Sequence, residues 1–207
     1  MKKIMFADRF ALTQAVLNGM KTQTRRIVPQ KEIDNYEDWL DEVTSISTTG
    51  CGAVRYETLI ERLLNRTPYR IGEIVAVAQN YTDAGVGVQK LAKLSAQEHP
   101  VTQRSNFLKK VSGWKNKMFV RADLMPHQIR ITNLRVQRLQ GITDEECAKE
   151  GIRVDETTSS FWDERLKDTR FYPSPREAYA DLIDRISGRG TWESTPYVFV
   201  YDFELVK

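Results

Sequence analysis

Eight consecutive residues, Gly19-Met20-Lys21-Thr22-Gln23-Thr24-Arg25-Arg26, set a lysine, two threonine hydroxyls and two guanidiniums behind a glycine. Cations this dense can bind phosphate, by charge and by the arginine fork. The same residues offer a second chemistry, in which an amine activates a hydroxyl. A lysine out of water loses its proton more readily and can then take one from a neighbouring threonine. Residues three apart on an extended strand point to opposite faces. Lys21 and Thr24 therefore meet only if the chain is still turning between them, and Gly19 supplies a turn. The plainer alternative is a turn followed by a solvated basic strand.

The elements around this run are readable in part. Leu12, Ala15 and Val16 share a face, predicting a helix from about Arg9 to Asn18 with Asp8 as its cap and Gly19 as its left-handed stop. An extended segment follows through Ile27 and Val28. Residues 31–66 hold two possible helical faces separated by a Ser/Thr/Gly loop from Thr44 to Gly52. Pro68 to Glu73 is turn chemistry before a strand from Ile74 to Tyr81. Residues 83–112 have no clear period and read as an insertion, as do residues 31–66. Strands are predicted over Lys117–Arg121 and Ile129–Leu139. Thr143-Asp144-Glu145-Glu146 is a capping box for a helix ending at Gly151, and Ser174-Pro175-Arg176-Glu177 opens another that stops at Gly188. Tyr197 to Val206 is apolar on both faces where it begins, which marks a central strand. The class is α+β in one domain spanning residues 1–207, with strands able to close into a small barrel.

Bulk composition excludes more than it assigns. The 207 residues are 41% hydrophobic and 29% charged, with a net charge of +3, which alone makes no case for nucleic acid. Cys51 and Cys147 have no CxxC spacing, and with His99 and His127 they are too sparse for a structural zinc site. No metal and no nucleotide cofactor is expected, since no glycine-rich phosphate loop occurs. Reduced thiols point to the cytoplasm. The first apolar run is too short for a signal peptide, and no segment is long enough to span a bilayer.

A second basic concentration runs from Arg104 to Arg121. It contains Lys109, Lys110, Lys115 and Lys117 with Phe107, Trp114 and Phe119, and no acidic residue. Cations beside aromatic faces suit single-stranded nucleic acid, and the alternative is a solvated insertion with Trp114 and Phe119 in the core. Arg130, Arg135 and Arg138 extend this surface only if they share a face, and Arg135 differs in parity from the other two. Trp192 either covers a pocket or joins the core. His127 has no evident acid partner.

Gly19, Lys21, Thr24 and Arg26 form the pattern Gly-x-Lys-x-x-Thr-x-Arg, which resembles the signature of the ASCH family. Tyr69–Tyr81, Trp114–Gly151 and Ala178–Val206 extend the likeness, which is greatest to the larger ASCH-related proteins of phages and prophages. The resemblance implies a PUA-like β-barrel with flanking helices and a cleft used on RNA or modified nucleosides. One small member is an amidohydrolase of N4-acetylcytidine, and its threonine nucleophile, lysine and glutamate would fall on Thr24, Lys21 and Glu150. A one-turn slip in the helix selects Glu146 instead. Glu150 lies where the helix macrodipole makes a carboxylate more basic. Arg25, Arg26, Gln79, Trp114, Lys115 and Lys117 are the candidate ligand contacts. Relatives typically carry Val-Arg-Glu-x-Trp where this chain has Val77-Ala78-Gln79-Asn80-Tyr81, so a charged pair is missing. Three functions stay open: binding RNA or a nucleoside, hydrolysing an acylated nucleobase, or engaging a host protein.

Overall fold

The computed structural model describes residues 1–47, 57–87 and 112–206. It begins with β1 (Lys3–Ile4), a 3-10 turn over Asp8–Phe10 and α1 (Leu12–Leu17). The helix expected from Arg9 to Asn18 is thus two pieces. Ala11 divides them at φ 53°, a left-handed setting that interrupts helical geometry. Asp8 caps neither piece; its carboxylate accepts from the Thr13 hydroxyl and the Lys117 ammonium. Gly19, at φ 71°, ends α1 as expected, and the Ala15 carbonyl accepts from both Met20 and Lys21 N–H. β2 (Gln23–Ile27) leaves that turn.

α2 (Gln30–Ser47) runs into the segment expected to be a loop, the remainder of which lies outside the described residues. α3 (Leu59–Arg66) starts at a Thr58–Glu61 capping box and buries Leu63 in the core. β3 (Ile74–Val77) is shorter than expected. Lys117–Arg121 is not a strand: 3-10 turns cover Lys117–Phe119 and Ala122–Leu124. The Asn116 side chain accepts from Met118 N–H, and the Lys3 ammonium takes the Met118 and Val120 carbonyls at 2.6 and 2.7 Å. A side-chain cation there occupies acceptors that a strand partner would need. Of residues 83–112, only 83–87 and 112 are described.

β4 (Gln128–Arg138) precedes α4 (Asp144–Lys149), whose Thr143–Glu146 capping box forms as expected. β5 (Arg153–Val154), β6 (Ser159–Asp163) and β7 (Asp168–Tyr172) make a small sheet that the sequence analysis passed over. α5 (Pro175–Ser187), a short α6 (Thr191–Ser194) and β8 (Tyr197–Leu205) complete the order. Among the described residues there are two sheets, ordered β1-β3-β4-β8-β2 and β5-β6-β7. β8 pairs antiparallel with both β2 and β4, the central place its apolar faces predict. β1 is parallel to β3, so the large sheet is mixed.

The class is α+β, but no described pairing joins β1 to β2, and the barrel expected to close is open there. β1 is two residues long and spends its pairing on β3. Arg26 of β2 spans the gap, donating from Nη2 to the Met5 carbonyl. No helix among the described residues is long and apolar enough to cross a membrane.

The main core joins both sheets, with Phe161 of β6 edge-on to Phe10 and stacked on Tyr172. Asp163, at the end of β6, has no exposed surface. It accepts from Arg9 Nε and Nη2, both at 3.0 Å, and from Arg185 Nη1 at 3.2 Å. The small sheet is thereby tied to the turn before α1 and to α5, the two elements that flank the site below.

Hydrogen bonds from Arg9 hold the Asp163 carboxyl below its ordinary range, against the opposing effect of burial. A carboxyl with a depressed folded pKa contributes stability that is complete above its unfolded value of about 3.9 and is lost as pH falls through the folded value. Asp163→Asn is expected to cost about 1.5–3 kcal/mol at pH 7, the range for hydrogen bonds to a charged group. In urea unfolding from pH 6 to pH 2 the deficit should narrow, and a pH-independent deficit would contradict this assignment.

Candidate functional site

Lys21 leaves the Gly19 turn and is 2% exposed. Its ammonium donates to the Glu150 carbonyl oxygen and to Glu150 Oε2, both at 2.6 Å. Glu150 closes α4, and Gly151 follows at φ 101°. A Cβ on Gly151 would stand 3.2 Å from Leu12 Cδ2 and 3.7 Å from Lys21 Cδ. Glycine therefore serves twice here, allowing the left-handed turn and letting the lysine stem pass.

Arg25 continues the arrangement from β2. Its Nη1 reaches Glu150 Oε1 at 3.1 Å and its Nη2 reaches Glu146 Oε2 at 2.6 Å. Glu146 and Glu150 are four apart and share a helix face, so one guanidinium spans both. From sequence these two glutamates are alternatives; the structure uses both. Glu146 also accepts from Arg135, whose Nη1 lies 2.8 Å from Asp202 Oδ2. Gln23 and Asn133 donate to the same aspartate. Three cations and three carboxylates thus alternate from Lys21 to Asp202.

Burial lowers the Lys21 pKa even though Glu150 opposes the shift. Burial alone would raise Glu146, but Arg25, the Thr143 N–H and Arg135 together bring it below its ordinary value. Desolvation pushes the Tyr179 phenol well up and the Cys147 thiol to about 12, which leaves Cys147 inert as a nucleophile.

These groups open onto a cavity of about 240 Å³ lined by Lys21, Thr24, Arg25, Arg26 and Glu150, with Phe6, Tyr179 and Leu182 among the apolar walls. Thr24 and Arg26 are two apart on β2 and share a strand face. The Lys21 ammonium goes to Glu150, and the direct bond to Thr24 weighed above is not made. Among the described residues the Thr24 hydroxyl has no protein hydrogen-bond partner. The Phe6 ring lies 6.0 Å from Lys21 Nζ and 5.6 Å from Arg26 Cζ, and Tyr179 lies 6.0 Å from Arg25 Cζ. Arg25 Nε is buried without a partner.

Gln79, Trp114, Lys115 and Lys117 do not line this cavity. Gln79 is buried with its amide oxygen unpartnered. Trp114 packs on a second apolar cluster containing Ala78, Tyr81 and Met125. Lys115 is exposed. Lys117 is bound to the Phe6 carbonyl, to Asp8 and to Thr13 Oγ1. Phe119 is 58% exposed rather than in the core. Arg130 pairs with Glu204, Arg138 covers Tyr197, and Trp192 packs edge-on to Tyr179. Cys51, His99, Arg104, Phe107, Lys109 and Lys110 lie outside the described residues. Among the described residues, no group of three or more His, Cys, Asp or Glu could hold a metal ion.

Sequence reasoning missed Phe6, Tyr179, Arg135 and Asp202. The aromatic pair reads as core, and Arg135 and Asp202 join the site only through the β4–β8 register, which sets Arg135 opposite Val200 and Asn133 opposite Asp202.

Glu150→Ala would leave a buried ammonium with the backbone carbonyl but no counter-charge, at an expected cost of about 3–5 kcal/mol. A lysine with a depressed folded pKa gains stability as pH rises from that value toward the unfolded one, because the unfolded chain then holds more protons. Glu150 holds the Lys21 pKa up, so its removal depresses that pKa further, and the variant's deficit in chemical denaturation should shrink from pH 7 to pH 10. Comparison of the chain with protein-family models, curated proteins and solved structures gave no match in any of the three.

Proposed function

We propose that this chain binds a single nucleoside-like ligand in the cavity, on a PUA-like scaffold of the kind the ASCH resemblance implies. One observation carries the reading: the Lys21 ammonium and Thr24 hydroxyl from one segment and the Glu150 carboxylate from another border one hollow, lined also by Phe6 and Tyr179. At about 240 Å³ the hollow is smaller than the roughly 300–1,000 Å³ of drug-sized ligand sites, a scale suited to one heterocycle. Donors on Lys21 and Arg25, an acceptor on Glu150 and a hydroxyl on Thr24 are the mixture that reads a base edge. A nucleoside is favoured over a strand because Lys117, from the basic segment, does not line the cavity and is held by Asp8 and the Phe6 carbonyl.

Titration with cytidine and N4-acetylcytidine, followed by calorimetry, tests the reading. Thr24→Ala should weaken binding about five- to tenfold, the worth of one hydrogen bond of about 1–1.4 kcal/mol, with its thermal unfolding preserved. Absence of binding across a nucleoside panel, or binding indifferent to Thr24→Ala, would oppose it.

The unpartnered Thr24 hydroxyl, lining the same cavity as an amine of lowered pKa, supports a second reading, hydrolysis of an acylated nucleobase. In molecules whose Lys21 has released its proton, the Thr24 oxygen attacks the acyl carbonyl, and the lysine takes the hydroxyl proton and passes it to the departing exocyclic nitrogen. Water then cleaves the threonine ester and releases the acid. Acetate release from N4-acetylcytidine that Thr24→Ala abolishes is the expected result; no release by the folded wild type would remove this reading and leave binding alone.

A further inference from the structure

The charges around the cavity do not all cancel within the protein. Lys21 is answered by Glu150, and Arg25 by Glu150 and Glu146. Among the described residues Arg26 has no carboxylate partner. Its guanidinium donates to the Met5 carbonyl and lies over the Phe6 ring, neither of which carries a net charge. A guanidinium has five N–H donors, so this contact leaves most of the fork free. The carboxyl end of α5 also borders the cavity, through Ile186 and Ser187. A helix end contributes about half an elementary charge, less than the full charge on Arg26. A positive charge therefore remains at the cavity wall, on a side chain that is half-buried and held in place.

Its position relative to Thr24 matters. The two residues are alternate positions on β2, about 7 Å apart along the strand, and both border the cavity. That separation is on the scale of the sugar between a nucleobase and its phosphate.

We propose that Arg26 receives a phosphate on the ligand, so that the cavity selects a nucleotide over the bare nucleoside. The inference rests on the nucleoside reading and specifies it further. It also divides the basic run by role: Lys21 and Arg25 are held within the protein's own ion pairs, and Arg26 is the cation left for an anionic group.

Calorimetric titration of the full chain with cytidine, cytidine 5′-monophosphate and a short single-stranded trinucleotide tests it, in wild type, Arg26→Gln and Arg26→Lys. The expected result is a phosphorylated ligand bound at least about tenfold more tightly than cytidine, the value of one charge-assisted hydrogen bond. That preference should fall to about unity in Arg26→Gln, recover in part in Arg26→Lys, and diminish with added salt. A mononucleotide favoured over the trinucleotide assigns the phosphate to a free nucleotide, and the reverse order assigns it to a strand; either order supports the proposal if Arg26→Gln removes the preference. Equal affinity for cytidine and its monophosphate, or a preference that survives Arg26→Gln, overturns the proposal while the nucleoside reading stands. No binding of any of the three overturns both. Thermal unfolding of each variant establishes that it is folded, and Arg26→Lys retains the charge should Arg26→Gln not fold.

Discussion

A lysine ammonium removed from water must be answered within hydrogen-bond reach or give up its proton. Lys21 is answered by one residue twice, through the carbonyl and the carboxylate of Glu150. That double contact requires a helix to end at Glu150, a glycine to turn the chain immediately afterwards, and α1 to stop at Gly19 so that Lys21 arrives from the other side. Two segments more than a hundred residues apart are thereby held to one point.

The remaining charges follow from the same constraint. Glu150 has a second carboxylate oxygen, which Arg25 takes. Arg25 carries more donors than Glu150 can accept, and Glu146 one helical turn earlier takes the next. Arg135 and Asp202 extend the alternation to the β4–β8 pairing. An isolated buried ion pair is seldom a net source of stability, since desolvation offsets attraction. The arrangement is better understood as a positioning device. It holds Lys21, Arg25 and Glu150 in fixed orientations at the wall of a hollow, where flexible side chains would otherwise swing.

Much of this was legible in local chemistry. Gly19 and Gly151 stop their helices, Thr143 and Glu146 form their capping box, and the alternation in Tyr197–Val206 places β8 in the middle of its sheet. That Glu150 would join Lys21 and Thr24 was implied by the ASCH resemblance rather than by local chemistry, and the Lys21 ammonium goes to Glu150 instead of Thr24. What remained hidden depends on contacts between distant segments. The segment Lys117–Phe119 looks extended, but Lys3, more than a hundred residues away, takes the carbonyls a strand would use. The small sheet from Arg153 to Tyr172 has no period that stands out, because Ser159, Ser160 and Asp163 on β6 are buried although polar, the last held by two arginines. Lys117 looked like a free cation because Asp8 and the Phe6 carbonyl are far from it in sequence. Basic residues are thus the ones whose roles sequence alone misassigns: the same side chain is a phosphate contact or an internal clamp according to what the fold brings beside it.

The central claim is that Lys21 and Glu150 act on each other inside the protein and together fix the wall of the cavity. A double-mutant cycle with Lys21→Met and Glu150→Gln, read by urea denaturation at pH 7, measures that coupling directly. The account predicts a coupling energy of about 2–3 kcal/mol, at the upper end for residues in contact. Additive effects, within about 0.5 kcal/mol, would show that the two groups do not meet in the folded chain.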